Sequence, residues 1–492
     1  MVNSKSLIQP STLPIIENPL GKDILNWTSV GLNEVQERGG RLEASVFGVE
    51  GRRAREQLRE CGWPIALLCG VDGLADAYSE VRFKRIFVKN SLYPIFQPSQ
   101  ITELSPKPSA FISSKTQVDI NNLRVHKNQI LLTCSGTIGN CTLVSSTLDN
   151  HIFSHDLIRI NAKNIEDVGV IYTFLLSKTG KIILNTNNYG AIISHIEPDH
   201  LIDVPVPVPS PEIKQEIQTK IMLSFQLRDE SNALIDEAQE ILKKELNFTD
   251  IDEIRPNYFD STTDIRNYSV PISKLDNRFD PSYHVPIVDA IKDHLKNVAS
   301  EVTTIGDHKI SQNIISPGRF KRVYMKEGQG VVFFGGKQLY DLDPSNKKYL
   351  SLKHHEKRIK YELTLRQNMI LITCSGTIGK VNITPKHWDG WTANQHIIRV
   401  VPASDDIAGY LYIWLSSEFA YPLITRFTYG SVVDEIDEGH IKQIPVPLLK
   451  DPNKQKNIND LALKANLKRT EAYLLEQEAL DIMNEKIIHH NG

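Results

Sequence analysis

One ten-residue stretch occurs twice in this chain of 492 residues. ILLTCSGTIG at 130–139 and ILITCSGTIG at 370–379 are identical at nine of ten positions, and Cys134 lies 240 residues before Cys374. Solenoid repeats have periods of about 20–50 residues, so this repeat is of another kind. The chain contains one domain-sized unit twice. Further matches at the same offset are Arg159 with Arg399, Tyr189 with Tyr429, and His200 with His440.

A second pair of matches shows where the repeated unit begins. RFKRIFV at 82–88 matches RFKRVYM at 319–325, and RLEASVF at 41–47 aligns with RFDPSYH at 278–284, both at an offset of 237. The offset grows by three before the TCSGTIG stretch, so the second copy carries a small insertion. Its segment 347–366, KKYLSLKHHEKRIKYELTLR, is the most basic part of the chain.

Each copy ends in a long amphipathic segment. Residues 211–246 and 454–487 place apolar residues mainly at spacings of three and four, which is typical of a helix. Each segment predicts a helix of about 35 residues, roughly 50 Å long at 1.5 Å per residue. Because neither helix can bury its apolar stripe alone, we expect the two to pack as an antiparallel coiled-coil-like pair.

The rest of each copy predicts a globe that mixes strands and helices, so the fold class is α/β (α+β). Alternating apolar residues indicate strands around 84–88, 129–133 and 157–160, and helical patterns follow at 170–180 and 410–420. The predicted boundaries are an N-terminal arm or linker at 1–40, a first globe at 41–209, a long helix at 210–248, a linker at 249–277, a second globe at 278–449 and a long helix at 450–488.

Composition excludes several protein classes. No apolar run reaches about 18 residues, and the N-terminus lacks an apolar core beside a basic start, so we expect neither a membrane span nor a secretion signal. The five cysteines form no CxxC pair, which favours reduced thiols in a cytoplasmic protein. The net charge of −3 argues against a chain that coats nucleic acid indiscriminately.

The chain shows no convincing catalytic motif. The Gly376–Lys380 stretch has two residues between its glycines instead of the four of a phosphate-binding P-loop. Neither Cys134 nor Cys374 has a base assigned by sequence, so a packed loop thiol is the better interpretation. An amino-methyltransferase motif, a glycine-rich cofactor loop and a nuclease cluster of carboxylates with lysine are missing too. We therefore expect no catalytic residue and no metal ligand.

The basic-aromatic RFKR stretches fit contact with DNA, since lysine and arginine can hold phosphate while loop residues read base edges. A solvated strand face remains the alternative interpretation, and shared ancestry alone would also retain the stretch in both copies. The candidate DNA-contacting residues are Arg82, Lys84, Arg85, Ser135, Thr137, Tyr189, Arg319, Lys321, Arg322, Lys357, Arg358, Ser375, Thr377 and Tyr429.

These features together resemble the specificity (S) subunit of Type I restriction-modification systems, over roughly residues 41–487. The resemblance rests on RQNMILITCSGTIGKVNIT, the QHIIRV stretch at 395–400, the IPVPLL exit from the globe and the long helix, all in two ordered copies. Two departures stand out. Cysteine occupies a loop position where such subunits often have arginine, and the first copy has HDLIRI at 155–160 in place of QHIIRV.

The resemblance implies a role in phage defence without chemistry of its own. The globes would be tandem target recognition domains that bind double-stranded DNA, and the paired helices would dock two modification (methyltransferase) subunits. A restriction (motor-nuclease) subunit would join them. S-adenosylmethionine, ATP and Mg would then belong to the partner subunits, with no cofactor in this chain. Two alternatives stay open, a stand-alone DNA-acting enzyme such as a nuclease and a structural adaptor without DNA preference.

Two expectations concern the whole chain. The globes differ outside the shared stretches, so we expect a bipartite site with two unlike half-sites and an unread gap, spaced by the helices at about one DNA turn, roughly 34–36 Å. We also expect deletion of 451–487 to abolish partner docking while the first globe stays folded.

Overall fold

The computed structural model describes residues 46–186, 195–249, 268–430 and 432–490, together with 16–17, 24–25, 30–37, 40, 42 and 251. Most of the predicted arm at 1–40 and the middle of the predicted linker at 249–277 therefore lie outside the described residues. The chain forms two compact units. The first unit comprises 1–102, 106–225 and 475–492, and the second unit comprises 103–105 and 226–474.

The first unit contains twelve described strands and four complete described helices. The strands are β1 (Ile16–Glu17), β2 (Ile24–Leu25), β3 (Ile65–Leu67), β4 (Ala75–Ser79), β5 (Phe87–Val88), β6 (Pro94–Phe96), β7 (Ala110–Ile112), β8 (Ile130–Thr133), β9 (Cys141–Leu143), β10 (Ile152–Phe153), β11 (Leu157–Ala162) and β12 (Pro205–Pro207). The helices are α1 (Leu32–Glu37), α2 (Val49–Arg59), α3 (Val168–Leu176) and α4 (Lys178–Thr186). The long helix α5 (Pro211–Glu245) begins in this unit and continues into the second.

The second unit repeats this order of elements. Its strands are β13 (Glu301–Thr304), β14 (Ser311–Ile315), β15 (Tyr324–Met325), β16 (Val331–Phe334), β17 (Lys348–Leu350), β18 (Ile370–Thr373), β19 (Val381–Ile383), β20 (Thr392–Ala393), β21 (Ile397–Pro402) and β22 (Pro445–Leu448). Its helices are α6 (Pro286–Val298), α7 (Leu352–Arg358), α8 (Asp405–Leu415), α9 (Ala420–Thr425) and α10 (Glu438–Lys442), and α11 (Pro452–Ile482) begins here and ends in the first unit. Among the helices that the structure describes, none combines the length and apolar character that a bilayer crossing requires.

Three sheets recur in both units. The order β4-β11-β8-β9 in the first unit corresponds to β14-β21-β18-β19 in the second, and β10-β6-β7-β5 corresponds to β20-β16-β17-β15. The two-stranded sheets β3-β12 and β13-β22 correspond as well. Even the register is kept, since Arg159 lies opposite Leu131 and Arg399 lies opposite Leu371. The predicted mixed fold built twice is confirmed.

The long helices pack against each other within each unit. In the first unit Lys486 Nζ lies 3.2 Å from Glu216 Oε2, and Lys220 Nζ lies 2.6 Å from Glu478 Oε2. The numbering falls along one helix as it rises along the other, so the helices are antiparallel, as predicted. Such exposed ion pairs contribute about 0–1 kcal/mol each, so the shared apolar core holds the helices together. Its helix residues in this unit are Ile217, Ile221, Phe225, Ala479, Ile482 and Met483.

The core of the first unit includes the end of the chain. Ile487 and Ile488 are fully or almost fully buried in the same core as β8, β11 and α3. Tyr172 in α3 donates a hydrogen bond of 2.7 Å to the carboxylate of Glu476. The expectation that the first globe stays folded without 451–487 is therefore wrong, because that deletion would remove part of its core.

Two local predictions need correction. The segment expected as a strand at 84–88 is extended only at Phe87–Val88, and residues 81–86 have no regular structure. The helical pattern at 170–180 is divided between α3 and α4, because Ser177 accepts a hydrogen bond from the Gly180 amide and starts a new helix there. A Cβ at Gly180 would lie 2.0 Å from the carbonyl oxygen of Phe174, so only glycine allows this close turn.

A half-buried histidine makes the stability of the second unit depend on pH. The His387 ring stacks on Tyr473 at 4.2 Å, and its Nε2 lies 2.9 Å from the carbonyl oxygen of Leu342. Burial lowers the pKa of His387 to about 4, against an ordinary value of 6.5. The unfolded chain therefore binds this proton more readily than the folded chain does. The contribution of the neutral His387 ring to the free energy of unfolding is complete above pH 6.5 and is lost as the pH falls towards 4.

We expect the free energy of unfolding of the second unit to fall by about 2–3 kcal/mol more in the native protein than in the variant His387→Phe when the pH drops from 7 to 4.5. The variant keeps the ring stack and cannot bind the proton. Urea denaturation followed by tryptophan fluorescence measures this, since Trp388, Trp391 and Trp414 lie in the second unit. His308→Gln is the control, because His308 is exposed. Equal pH dependence of the native protein and His387→Phe would contradict the assignment.

Candidate DNA-reading surface

The shared TCSGTIG stretch forms a tight hairpin loop in each unit. It joins β8 to β9 and β18 to β19, and the Thr373 amide donates to the carbonyl of Lys380 at 2.9 Å at the base of the second loop. Gly136 and Gly376 have φ angles of +71° and +75° with no atom near the missing Cβ. Glycine is therefore needed here for its backbone conformation, not for space.

Each loop has an anchored side and an exposed tip. Ile138 and Ile378 are buried, at 8% and 7% exposure. Thr137 and Thr377 are exposed at the tip, beside the conformationally special glycines. The candidate side chains of the tip are thus held out on a rigid hairpin.

A second segment supports the loop in each unit. In the first unit the Ile196 amide donates to the Cys134 carbonyl at 2.9 Å, and Ser135 pairs with His195. In the second unit the Ile436 amide donates to the Cys374 carbonyl at 2.9 Å, and Ser375 pairs with Glu435. Ser135 and Ser375 are half-buried between the loop and this support.

The RFKR stretch reaches this surface in the second unit. Arg319 Nη2 lies 2.6 Å from Glu435 Oε1, and Arg322 Nη2 donates to Gln395 Oε1 at 2.7 Å. Tyr429 exchanges backbone hydrogen bonds of 3.0 and 2.8 Å with Glu435. The structure therefore brings three of the predicted residues, Arg319, Ser375 and Tyr429, around Glu435, and it places a fourth, Arg322, against Gln395.

The first unit repeats this arrangement with other partners. Arg85 Nη1 donates to Gln97 Oε1 at 3.1 Å, and its Nη2 lies 3.6 Å from Asp156 Oδ2. Leu157, the residue after Asp156, pairs with Thr133 at the end of the strand that leads into the loop, which places Asp156 beside the loop. Burial, and then the carboxylate of Asp156, raise the pKa of the Cys134 thiol to about 11. Arg85 is thus linked to the Ser135 loop through Asp156.

The remaining predicted residues have different surroundings. Arg82, Lys84 and Lys321 are exposed on the RFKR stretches, and Lys357 is exposed on α7. Arg358 packs over the ring of Phe320 at 5.1 Å, next to the second RFKR stretch. Tyr189 lies outside the described residues. The contact of all these residues with DNA stays a prediction.

Sequence reasoning missed the polar residues that hold the arginines. Gln395 and His396 occupy the positions of His155 and Asp156, so the two units differ where the arginine binds. The stretches QHIIRV and HDLIRI contain these partners and differ at their first two residues, so a signal was present in the sequence. QHIIRV indicated the family resemblance and HDLIRI departed from it, but neither stretch indicated contact with an arginine. Glu435 had no such signal, because it lies 116 residues from Arg319.

Two histidines of this surface, His155 and His396, have lowered pKa values. Burial, and then the positive charges of Arg322 and Arg319, lower the pKa of His396. Burial is also the main cause that lowers the pKa of His155. A neutral imidazole offers one N–H donor and one acceptor nitrogen. Both rings thus add hydrogen-bonding capacity without adding charge.

The cysteines beside the loops are not activated. Burial raises the pKa of Cys374 and Cys134 to about 11, so both are thiols at neutral pH and poor nucleophiles. Within the described ranges, histidine, cysteine, aspartate and glutamate side chains nowhere gather in a group of three or more that could hold a metal. The arrangement offers hydrogen bonds and positive charge.

Three solved structures illustrate what this chain is similar to. The chain is similar to the crystal structure of a Type I restriction-modification system S subunit from M. genitalium, with 15% identity, a TM-score of 0.32, and coverage of 87% of this chain and 96% of that one. It is similar to the HsdS subunit from Thermoanaerobacter tengcongensis, with 14% identity, a TM-score of 0.25, and coverage of 85% and 97%. A structure of complex assembly and conformational transition of the type I R-M system has 13% identity, a TM-score of 0.27, and coverage of 88% and 98%. Comparison with curated proteins returned no match.

The family assignment rests on a sequence model. The model of the Type I restriction modification DNA specificity domain matches residues 80–239 and again residues 313–462. Each match includes one TCSGTIG loop and one set of the strands that carry it, and together they cover more than half of the chain. The chain therefore belongs to the family of specificity subunits of Type I restriction-modification systems.

Proposed function

We propose that this chain selects the DNA sequence on which a Type I restriction-modification complex acts and performs no chemistry itself. One observation carries the proposal. The loop and arginine arrangement is built twice, once within each match to the DNA specificity domain. A loop tip with exposed threonines beside exposed lysine and arginine offers base-edge and phosphate contacts together.

The recognised site would be bipartite and asymmetric. The two arrangements have the same backbone fold but differ in the side chains that contact the equivalent arginines. Arg85 contacts Gln97 and Asp156 in the first unit, and Arg322 contacts Gln395 in the second. Different side chains at equivalent positions favour different bases, and each good base contact is worth about 1–3 kcal/mol of discrimination. A footprint with one continuous or palindromic site would contradict this part of the proposal.

The ion pairs of the free chain would exchange for phosphate contacts. Arg319 is 78% exposed while it contacts Glu435, and Arg85 is only partly buried beside Asp156. Exposed pairs of this kind contribute about 0–1 kcal/mol. A DNA phosphate can therefore replace the carboxylate at little cost, and the carboxylate orients the arginine until DNA arrives.

The chemistry would come from partner subunits. Modification subunits, two in number, would bind S-adenosylmethionine and methylate the DNA, and a restriction subunit would use ATP and Mg. Methylation of a base inside a duplex requires that base to leave the stack, which a pocket in the partner would accommodate. The paired helices α5 and α11 are the proposed docking element for these partners.

Substitutions in each RFKR stretch test the assignment of half-sites. We expect Arg319→Ala/Lys321→Ala to weaken binding at one half-site about 10- to 100-fold and to leave the other intact, because hydrogen bonds to charged groups are worth about 1.5–3 kcal/mol each. Arg82→Ala/Lys84→Ala is expected to do the reverse. The measurement is hydroxyl-radical footprinting of the two half-sites with the chain bound to its modification subunit.

The control is Lys296→Ala/Lys309→Ala, which removes two exposed lysines outside the loop arrangement. Equal loss at both half-sites in either RFKR variant would contradict separate reading by the two units. DNA cleavage or methylation by the purified chain alone would contradict the non-catalytic role, and binding without any sequence preference would favour the adaptor alternative.

A further inference from the structure

The second unit carries a basic helix that the first unit lacks. Between β17 and β18 the chain forms α7 and a following π-helical turn, Ile359–Leu363. The corresponding connection between β7 and β8 has only the short 3-10 turn Ile120–Leu123, and its two exposed lysines, Lys115 and Lys127, lie outside that turn. The helix and its turn together contain three lysines, one arginine and two glutamates.

Side chains on the inner face attach this helix to the RFKR stretch. His355 is 8% exposed, and its Nε2 accepts a hydrogen bond of 3.0 Å from the Val323 amide. The ring of His355 contacts Phe320 edge-on at 5.3 Å, and Arg358 donates to the carbonyl of Gly318 at 3.3 Å. The helix thus continues the surface that contains Arg319 and Lys321.

The outer face carries a row of exposed lysines. Lys353 and Lys357 lie in α7, on either side of a kink at His355, and Lys360 lies in the π-helical turn that follows; all three are exposed. Arg358 Nη1 forms an ion pair with Glu362 Oε2 at 2.7 Å. The three lysines form no ion pair with any described carboxylate.

We infer that this lysine row contacts the DNA backbone and gives the second unit the larger share of sequence-independent binding. The inference rests on the proposed function, which supplies duplex DNA as the polyanion. Lysine acts on phosphate as a point charge and reads no base edge, so the row would strengthen binding without narrowing the sequence choice. The first unit has two exposed lysines, Lys115 and Lys127, in its corresponding connection and no basic helix there, and would then depend more on its loop contacts.

Salt dependence of binding tests the inference directly. Each phosphate neutralised by a protein cation contributes about −0.9 to the slope of log affinity against log salt concentration. We expect Lys353→Gln/Lys357→Gln/Lys360→Gln to make this slope less steep by about 2–3, measured by fluorescence anisotropy on a duplex of random sequence with the full-length chain. Thermal melting that matches the native chain shows that the variant is folded.

The matched control is Lys450→Gln/Lys454→Gln/Lys464→Gln, which removes three exposed lysines that lie at the exit of the globe and on α11. A slope that stays unchanged in the lysine-row variant, or that changes equally in the control, would overturn the inference. A native chain that binds random DNA with the expected slopes but selects no motif in cells would overturn the proposed function and leave the inference standing. A native chain that binds no duplex would overturn both.

Discussion

A chain that ends at Leu474 is expected to lose the fold of its first unit, although the truncation removes only residues from the opposite end of the sequence. Four large apolar side chains of the removed segment are buried in that unit: Ile482, Met483, Ile487 and Ile488. Burial of each is worth about 1.5–3 kcal/mol. The expected loss of about 6–12 kcal/mol is comparable to the whole stability of a domain, about 5–15 kcal/mol.

Hydrogen exchange separates the two units in this experiment. Amides of β8 and β11 should lose protection in the truncated chain, whereas amides of β18 and β21 should keep theirs, because the second unit ends at Leu474. A chain that ends at His490 is the control. Retained protection of β8 would show that the first unit does not need the end of the chain.

Point substitutions test the same contact in the full-length chain. Met483→Asp/Ile487→Asp places two carboxylates in the core, where an unpaired charge is strongly unfavourable. Asp481→Asn/Glu485→Gln alters exposed neighbours on the same stretch and should have little effect. If the two double variants had the same melting temperature, the destabilisation would come from a change in the helix itself and not from the charge placed in the core.

Replacement of Arg399 by methionine is expected to destabilise the second unit by about 3–5 kcal/mol, because it leaves several buried carbonyls without a donor at about 1–3 kcal/mol each. The Arg399 side chain is 0% exposed. Its guanidinium donates to the carbonyl of Asn394 at 3.1 Å and also to the carbonyls of Ala393 and Ile397. Methionine fills similar volume but leaves these buried acceptors without a donor.

Substitutions of two other arginines serve as comparisons for the destabilisation expected of Arg399→Met. Arg366 is exposed on the same unit and lies 3.9 Å from Asp389, so Arg366→Met should cost less than about 1 kcal/mol. Arg159, the counterpart of Arg399 in the first unit, is also fully buried, but among the residues that the structure describes it donates only to the Leu123 carbonyl, at 3.3 Å. Arg159→Met should therefore lower the free energy of unfolding by less than Arg399→Met does.

Urea denaturation followed by tryptophan fluorescence measures the Arg399 and Arg366 variants, and hydrogen exchange measures the Arg159 variant in its own unit. Equal losses for Arg399→Met and Arg366→Met would show that the carbonyl contacts do not stabilise the unit. A larger loss of stability for Arg159→Met than for Arg399→Met would show that the number of carbonyls bonded to the arginine does not determine the loss.

Much of the fold was predictable because its signals are local or periodic. The 240-residue offset predicted a unit built twice, and both units contain the same sheets in the same order. Apolar residues at spacings of three and four predicted the long helices, which the structure has as α5 and α11. The strand expected at 84–88 was too long, since side-chain alternation does not reveal whether a neighbouring strand is present to pair with it.

The candidate surface was predictable only in part. The loop and the RFKR stretch were recognised because they occur twice, and in the second unit the structure brings Arg319, Ser375 and Tyr429 around Glu435 and places Arg322 against Gln395. Their partners were not recognised. Glu435 and Gln395 lie 116 and 73 residues from the arginines that they contact, and no spacing rule connects positions so far apart.

The sequence by itself determined the repeat, the mixed fold class, the paired helices and the family, because these follow from identity, periodicity and composition along the chain. Only the tertiary structure decided that the last turn of α11 and the π-helical turn after it, Met483–Ile488, complete the core of the first unit, and which polar groups hold each arginine. The physical reason is that burial and ion pairing depend on distance in space. A residue contributes where folding places it, however far along the chain its neighbours lie.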